Sequence, residues 1–285
     1  MIRSSCLKKY ELDVRIALHE LFSLCDYKMV HKGDLLLCYQ NGFINFGNDP
    51  CVGIGNDGYN NFQKSNSISF NGIGNITDDD NYFKQEGSGF FNGISTLEKE
   101  INEEKITYLA IWENAYFLRI FTQLVNIGNA NHYDWNLEIG KLPPNGKSKH
   151  IREKIINRLN ISPKFHEIIN NAYVGQIRNA IAHSQYTLVQ GGIVYNNYKS
   201  DKYSTLQSLS FEEWEKKYIY SYLIFIGIFQ VLKQINYEVY IPKSKRTSIK
   251  GIPVLIPKNE KEWTETYLYP NIKGDVWRFV KTIND

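Results

Sequence analysis

The stretch Gln176-Ile177-Arg178-Asn179-Ala180-Ile181-Ala182-His183-Ser184-Gln185-Tyr186 closes a helical segment that opens at Ser162-Pro163, where proline takes a favoured first helical position. Working outward, the basic run KHIREKIINRLN (149–160) predicts a shorter helix before it, reached through a Gly/Asn/Pro-rich connection from Gly128 to Ser148. Earlier still, Ser95-Thr96-Leu97-Glu98 has the form of a capping box and opens a long helix to about Asn126. On the other side, TLVQ (187–190) and IVYNNY (193–198) flank Gly191-Gly192 as a β-hairpin. Ser210-Phe211-Glu212-Glu213 is a second capping box, starting an apolar helix to about Gln234. The expected fold class is α+β and mainly α: four helices over residues 95–236, with a hairpin insert before the last.

The flanks differ from this helical domain. Residues 10–32 place Leu12, Ile16, Leu18, Leu21, Phe22 and Cys25 at a mostly helical spacing, predicting one amphipathic helix that ends at Gly33. From Asp34 to Gly93, which holds about half of the 20 glycines, the β-prone runs LLLCY, FINF and SISF predict a small turn-rich β unit. The expected divisions are 1–94 (helix plus Gly/Asn-rich β unit), 95–236 (helical domain) and 237–285 (a C-terminal extension of β-prone runs, Pro and Gly).

Composition narrows the class. The chain has 285 residues, 42% hydrophobic and 22% charged, so neither wholesale disorder nor a membrane bundle is expected. Residues 1–94 carry 8 Lys and Arg against 11 Asp and Glu, whereas 95–285 carry 25 against 19, so a polyanion is expected to favour the second part. The four cysteines, Cys6, Cys25, Cys38 and Cys51, are spaced too widely for a zinc site and read as free thiols in a reducing compartment. The N-terminus lacks the apolar stretch of a signal peptide. The run Tyr218 to Leu232 is shorter than the ~20 residues that span a bilayer. A cytoplasmic protein without a membrane partner is expected.

Arg178-Asn179-x-x-x-His183 resembles the R-x(4–6)-H signature of the HEPN superfamily, and its place at the end of the third of four helices matches that family's arrangement. The resemblance covers about residues 95–236. It implies a four-helix HEPN-like bundle and a metal-independent endoribonuclease with no cofactor. By the same resemblance it is a toxin or abortive-infection effector against phage, acting on tRNA or mRNA, with an antitoxin or trigger protein as a further partner.

The residues fit such chemistry. Metal-free RNA cleavage needs a base for the 2′-OH proton, an acid for the leaving 5′-oxygen and a cation for the phosphorane. His183 suits either proton role, Arg178 offers a permanently charged bidentate clamp, and Asn179 is placed to orient the imidazole or the substrate. At about 100° per residue, Asn179 and His183 share a helix face while Arg178 is displaced from His183 by roughly 140°. Either the helix unwinds near His183 or two copies combine their motifs. The resemblance implies the second, a homodimer with a composite cleft. The bland alternative is a solvated Arg178, a locally bonded Asn179, and a His183 that with Ser184 caps the helix.

Supporting candidates are Glu113, which either faces the site and orients Arg178 or is an ordinary salt-bridging residue, and Tyr186, for base stacking or core packing. Two basic clusters are candidate RNA contacts: Lys147, Lys149, His150, Arg152 and Lys154, and Lys243, Lys245, Arg246 and Lys250. Gly53-Ile54-Gly55-Asn56-Asp57-Gly58 satisfies G-x-G-x-x-G but precedes no helix, and Asp78-Asp79-Asp80 reads as a solvated turn; no metal site is expected. Two rivals stand beside the nuclease: a non-catalytic HEPN-like module binding RNA, nucleotide or protein, and a subunit whose apolar fourth helix forms an obligate interface.

Overall fold

A computed structural model describes residues 2–44, 50–52, 76–80, 96–143, 146–199, 204–246, 251–258, 262–271 and 276–279. The fold is mixed α+β and mainly helical, with several short β-hairpins. In chain order the elements are β1 (Ile2–Arg3), α1 (Ser4–Lys28), α2 (Asp34–Gln40), β2 (Phe43–Ile44), β3 (Pro50–Cys51), β4 (Ile76–Thr77), α3 (Thr96–Glu113) and α4 (Ala115–Gly128). There follow α5 (Gly146–His150), prolonged by a π turn and a 3-10 turn to Ile161, then α6 (Pro163–Ala172) and α7 (Gly175–Ala182). The chain continues through β5 (Tyr186–Val189), β6 (Gly192–Tyr195), β7 (Ser208–Ser210), α8 (Phe211–Ile235), α9 (Ile241–Arg246), β8 (Ile252–Pro257), β9 (Trp263–Pro270) and β10 (Trp277–Phe279).

The chain divides into two units. Unit 1 comprises Met1–Ala17, Phe62–Asn114 and Lys164–Phe225; unit 2 comprises Leu18–Asn61, Ala115–Pro163 and Ile226–Asp285.

In unit 1, α3 packs against α7, and the core is aromatic: Tyr108, Trp112 and Trp214 are buried, with Trp112 4.9 Å from Tyr173 and Tyr108 5.4 Å from Trp214. Each polar tip has a partner, as burial demands. Trp112 donates to Ser221 Oγ at 3.0 Å, and Trp214 donates to Glu104 at 2.8 Å. The third expected helix is two helices, because Val174 is extended between α6 and α7. Tyr108 repairs the break, its hydroxyl donating to the Ala172 carbonyl and accepting the Val174 N–H, both at 3.1 Å.

The long helix expected over 95–126 is likewise divided, ending as α3 at Glu113 and resuming as α4 at Ala115. The hairpin forms as β5 and β6 in the register Tyr186 to Tyr195, and β7 adds a third strand. The second capping box is realised in full: Ser210 Oγ accepts the Glu213 N–H at 3.2 Å, and Glu213 accepts the Ser210 N–H at 2.9 Å.

Unit 2 builds on a three-stranded antiparallel sheet in the order β10-β9-β8, with Ile252 opposite Leu268 and Pro257 opposite Trp263. Buried Trp135 donates to the Leu255 carbonyl at 3.0 Å, and Trp277 donates to Asn236 at 2.8 Å. Gly33 sits against the Pro253 carbonyl, where a side chain has no room.

Other expectations are corrected. LLLCY is not a strand but most of α2: Leu35, Leu36, Leu37 and Cys38 are all buried, so no periodicity distinguishes helix from strand. Of FINF, Phe43–Ile44 form a strand, while Asn45, Phe46, SISF and the G-x-G-x-x-G run lie outside the described residues. In α1, Leu12 and Ile16 are exposed; the buried face is carried by Val14, Ala17, Leu18, Leu21, Phe22 and Cys25. The continuous helical run Phe211–Arg246 is long and apolar enough to cross a membrane, a test that a buried core helix also passes, and most of its apolar window is buried.

Candidate functional site

The motif helix α7 starts from an extended Val174 and is fixed at its first turn by Gln176, which is buried. The Gln176 side chain behaves like a peptide unit: Oε1 accepts the Leu206 N–H at 2.9 Å and Nε2 donates to the Leu206 carbonyl at 2.7 Å. Asn197 Nδ2 returns a bond to the Gln176 carbonyl at 2.9 Å, tying both ends of the β6–β7 connection to α7.

Arg178 points inward and is almost fully buried, with 8% of its side chain exposed. It forms an ion pair with Glu113, and its Nη1 donates to Asn179 Oδ1 at 2.7 Å. Burial disfavours the charged guanidinium, and the adjacent Glu113 carboxylate supplies the counter-charge. The expected proximity of Glu113 and Arg178 is therefore present, and Asn179 orients the guanidinium rather than the imidazole.

His183 lies where α7 ends. Its N–H still bonds the Asn179 carbonyl at 3.1 Å, but its backbone has left the helix at φ −112° and ψ 12°. Ser184 follows in the left-handed region at φ 53°. Its N–H reaches the Ile181 carbonyl at 3.3 Å, and the Gln185 N–H reaches Ala180 at 2.8 Å, which is the Schellman termination usually given to glycine. His183 thus ends the helix, as the bland reading had it. Its side chain is exposed, making no hydrogen bond or ion pair with a described residue.

Tyr186 opens β5 and is partly buried, with Lys105 Nζ 3.7 Å from its ring centroid. Lys105 is 1% exposed, and burial pushes its ammonium down to about 8. Sequence reasoning passed over both Lys105 and Gln176. For Lys105 a signal existed: Ile101, Lys105, Tyr108 and Trp112 share one helical stripe, and the other three are buried apolar residues.

The basic candidates all belong to unit 2, whereas the motif belongs to unit 1. Lys149, Lys245 and Arg246 are exposed, and Lys147, Arg152 and Lys243 are partly buried; Lys250 lies outside the described residues. Arg152 pairs with Glu153 at 3.6 Å, and burial lowers the pKa of Lys147. His150 Nε2 lies 2.8 Å from Thr122 Oγ1, whose own proton goes to the Leu118 carbonyl, so the imidazole donates. Among the described residues no group of three or more His, Cys, Asp or Glu is placed to hold a metal.

Chemically, the site offers an exposed imidazole at the end of α7, five residues beyond a paired, oriented guanidinium. Comparison with protein-family models, curated proteins and solved structures finds no match.

Proposed function

We propose that unit 1 is a metal-independent endoribonuclease of the HEPN type, a toxin or anti-phage effector acting on tRNA or mRNA as a homodimer. The observation that carries this reading is the contrast within the motif: Arg178 is held by Glu113 and Asn179, while His183 is left to solvent. In the proposed reaction the imidazole of His183 takes the 2′-OH proton as the 2′-oxygen attacks phosphorus. Arg178 stabilises the phosphorane, and the protonated imidazole of the second copy gives its proton to the leaving 5′-oxygen. The products carry a 2′,3′-cyclic phosphate and a 5′-hydroxyl.

The test is incubation of the purified chain with a tRNA and mRNA pool in EDTA, alongside His183→Ala and Arg178→Ala, with mapping of the cut ends. Cyclic-phosphate ends that both substitutions abolish are expected; cleavage that survives both would overturn the assignment. The pairing of Arg178 with Glu113 also suits a second reading, a HEPN-like module that binds RNA and cuts nothing. Unaltered RNA retained by the wild type would favour it.

A further inference from the structure

We propose that unit 2 carries a nucleobase-binding site in which Trp263 stacks a guanine and Glu265 accepts hydrogen bonds from its N1–H and N2–H groups. The proposal goes beyond the nuclease reading and holds whether or not unit 1 cuts RNA.

Trp263 and Glu265 are two residues apart on β9 and therefore lie on one face of the sheet, with about 7 Å between their backbones. Trp263 is 41% exposed, a large apolar ring left open to solvent. It is nonetheless oriented, because the exposed His132 ring stacks on it with centroids 5.2 Å apart and planes 21° apart. A fixed ring loses little freedom when a base adds to the stack.

Glu265 is held as well. His31 Nδ1 accepts the Gly33 N–H, which leaves the proton on Nε2, so the 3.2 Å contact from Nε2 to Glu265 Oε2 is a donated hydrogen bond. Tyr267 donates to Oε1 at 3.2 Å. Each carboxylate oxygen keeps a lone pair for a ligand, and half of the side chain is exposed. The result is an aromatic wall and a carboxylate, each fixed by a separate neighbour, on one strand face.

Two donors side by side on a planar ring match this arrangement. Guanine presents them on its Watson–Crick edge, whereas adenine presents an acceptor at N1. An arginine from a basic protein partner has similar donors, but charge disfavours it. Unit 2 holds 19 Lys and Arg against 14 Asp and Glu, a net +5, while unit 1 holds 14 against 16. A unit of that sign attracts a nucleic acid and repels a basic peptide.

The test is titration of the full chain with GMP, AMP and N-acetylargininamide, followed by calorimetry or ligand-observed NMR. The variants are Trp263→Ala, Glu265→Gln and His183→Ala. GMP is expected to bind about 5- to 150-fold more tightly than AMP. Glu265→Gln should bring the two nucleotides level, and Trp263→Ala should lose both. His183→Ala should bind like the wild type, which separates this site from the fate of the nuclease reading. Equal binding of GMP and AMP by the wild type, binding of the arginine probe in their place, or no binding would each overturn the proposal.

Discussion

The carboxylate of Glu113, the last residue of α3, closes on the guanidinium of Arg178 in α7, and Asn179 takes a second donor of the same group. One helix terminus thereby fixes a cation on another. The arrangement makes Glu113 a positioning residue for Arg178. Glu113→Ala should cost about 3 kcal/mol of stability, because a nearly buried cation loses its counter-charge. Glu113→Gln should keep the fold better but, on the proposed nuclease function, slow RNA cleavage at least tenfold in kcat with little change in KM. Thermal denaturation beside single-turnover cleavage separates the two effects.

Ser184 occupies a backbone region that costs a side-chain-bearing residue about 1 kcal/mol, at the position where glycine is usual. Ser184→Gly should therefore raise stability by about 1 kcal/mol, and Ser184→Val should lower it. Urea midpoints at constant m-value would show both.

Lys105 gives unit 1 a pH dependence. Its folded pKa is pushed down to about 8 by burial, below its ordinary value, so between these values the unfolded chain binds more protons and stability rises with pH. Lys105→Met should remove that rise and stabilise the protein at pH 7 by about 1–3 kcal/mol. Denaturation at pH 7 and pH 9.5 is the measurement.

Asp34 acts in the opposite sense in unit 2. Burial pushes its carboxyl up to about 6, although it accepts the His31 N–H at 3.0 Å. Between its ordinary value near 4 and about 6 the folded chain binds more protons, so stability falls as pH rises through this window, by at most about 3 kcal/mol. Asp34→Asn retains an acceptor for His31 and should flatten the curve. An unchanged slope between pH 4 and 6 in the variant would contradict it.

Local signals predicted local structure well. Ser210 and Glu213 form the box their spacing indicated, and the expected hairpin forms, though its turn is Gln190-Gly191 and Gly192 already belongs to β6. The errors come from tertiary compensation. The break at Val174 depends on a hydroxyl 66 residues away in sequence, and α2 is helical although its continuous apolar run suits a strand equally. The pairing of Glu113 with Arg178 was legible as a possibility because both residues fall on helices expected to pack together. The dry setting of Lys105 required knowing that its whole stripe is buried. The His132–Trp263 stack had no local signal, since the residues come from distant segments.

The amide of Gln176 that grips Leu206, together with Asn197, has an engineering consequence. Lys199 and Ser204 lie side by side, the Lys199 N–H meeting the Ser204 carbonyl at 2.9 Å. The stretch between 199 and 204 is thus a natural insertion point, where a guest domain with adjacent termini adds little closure entropy and leaves the gripped ends in place. A fluorescent protein or an affinity tag grafted there would ride on the motif helix itself.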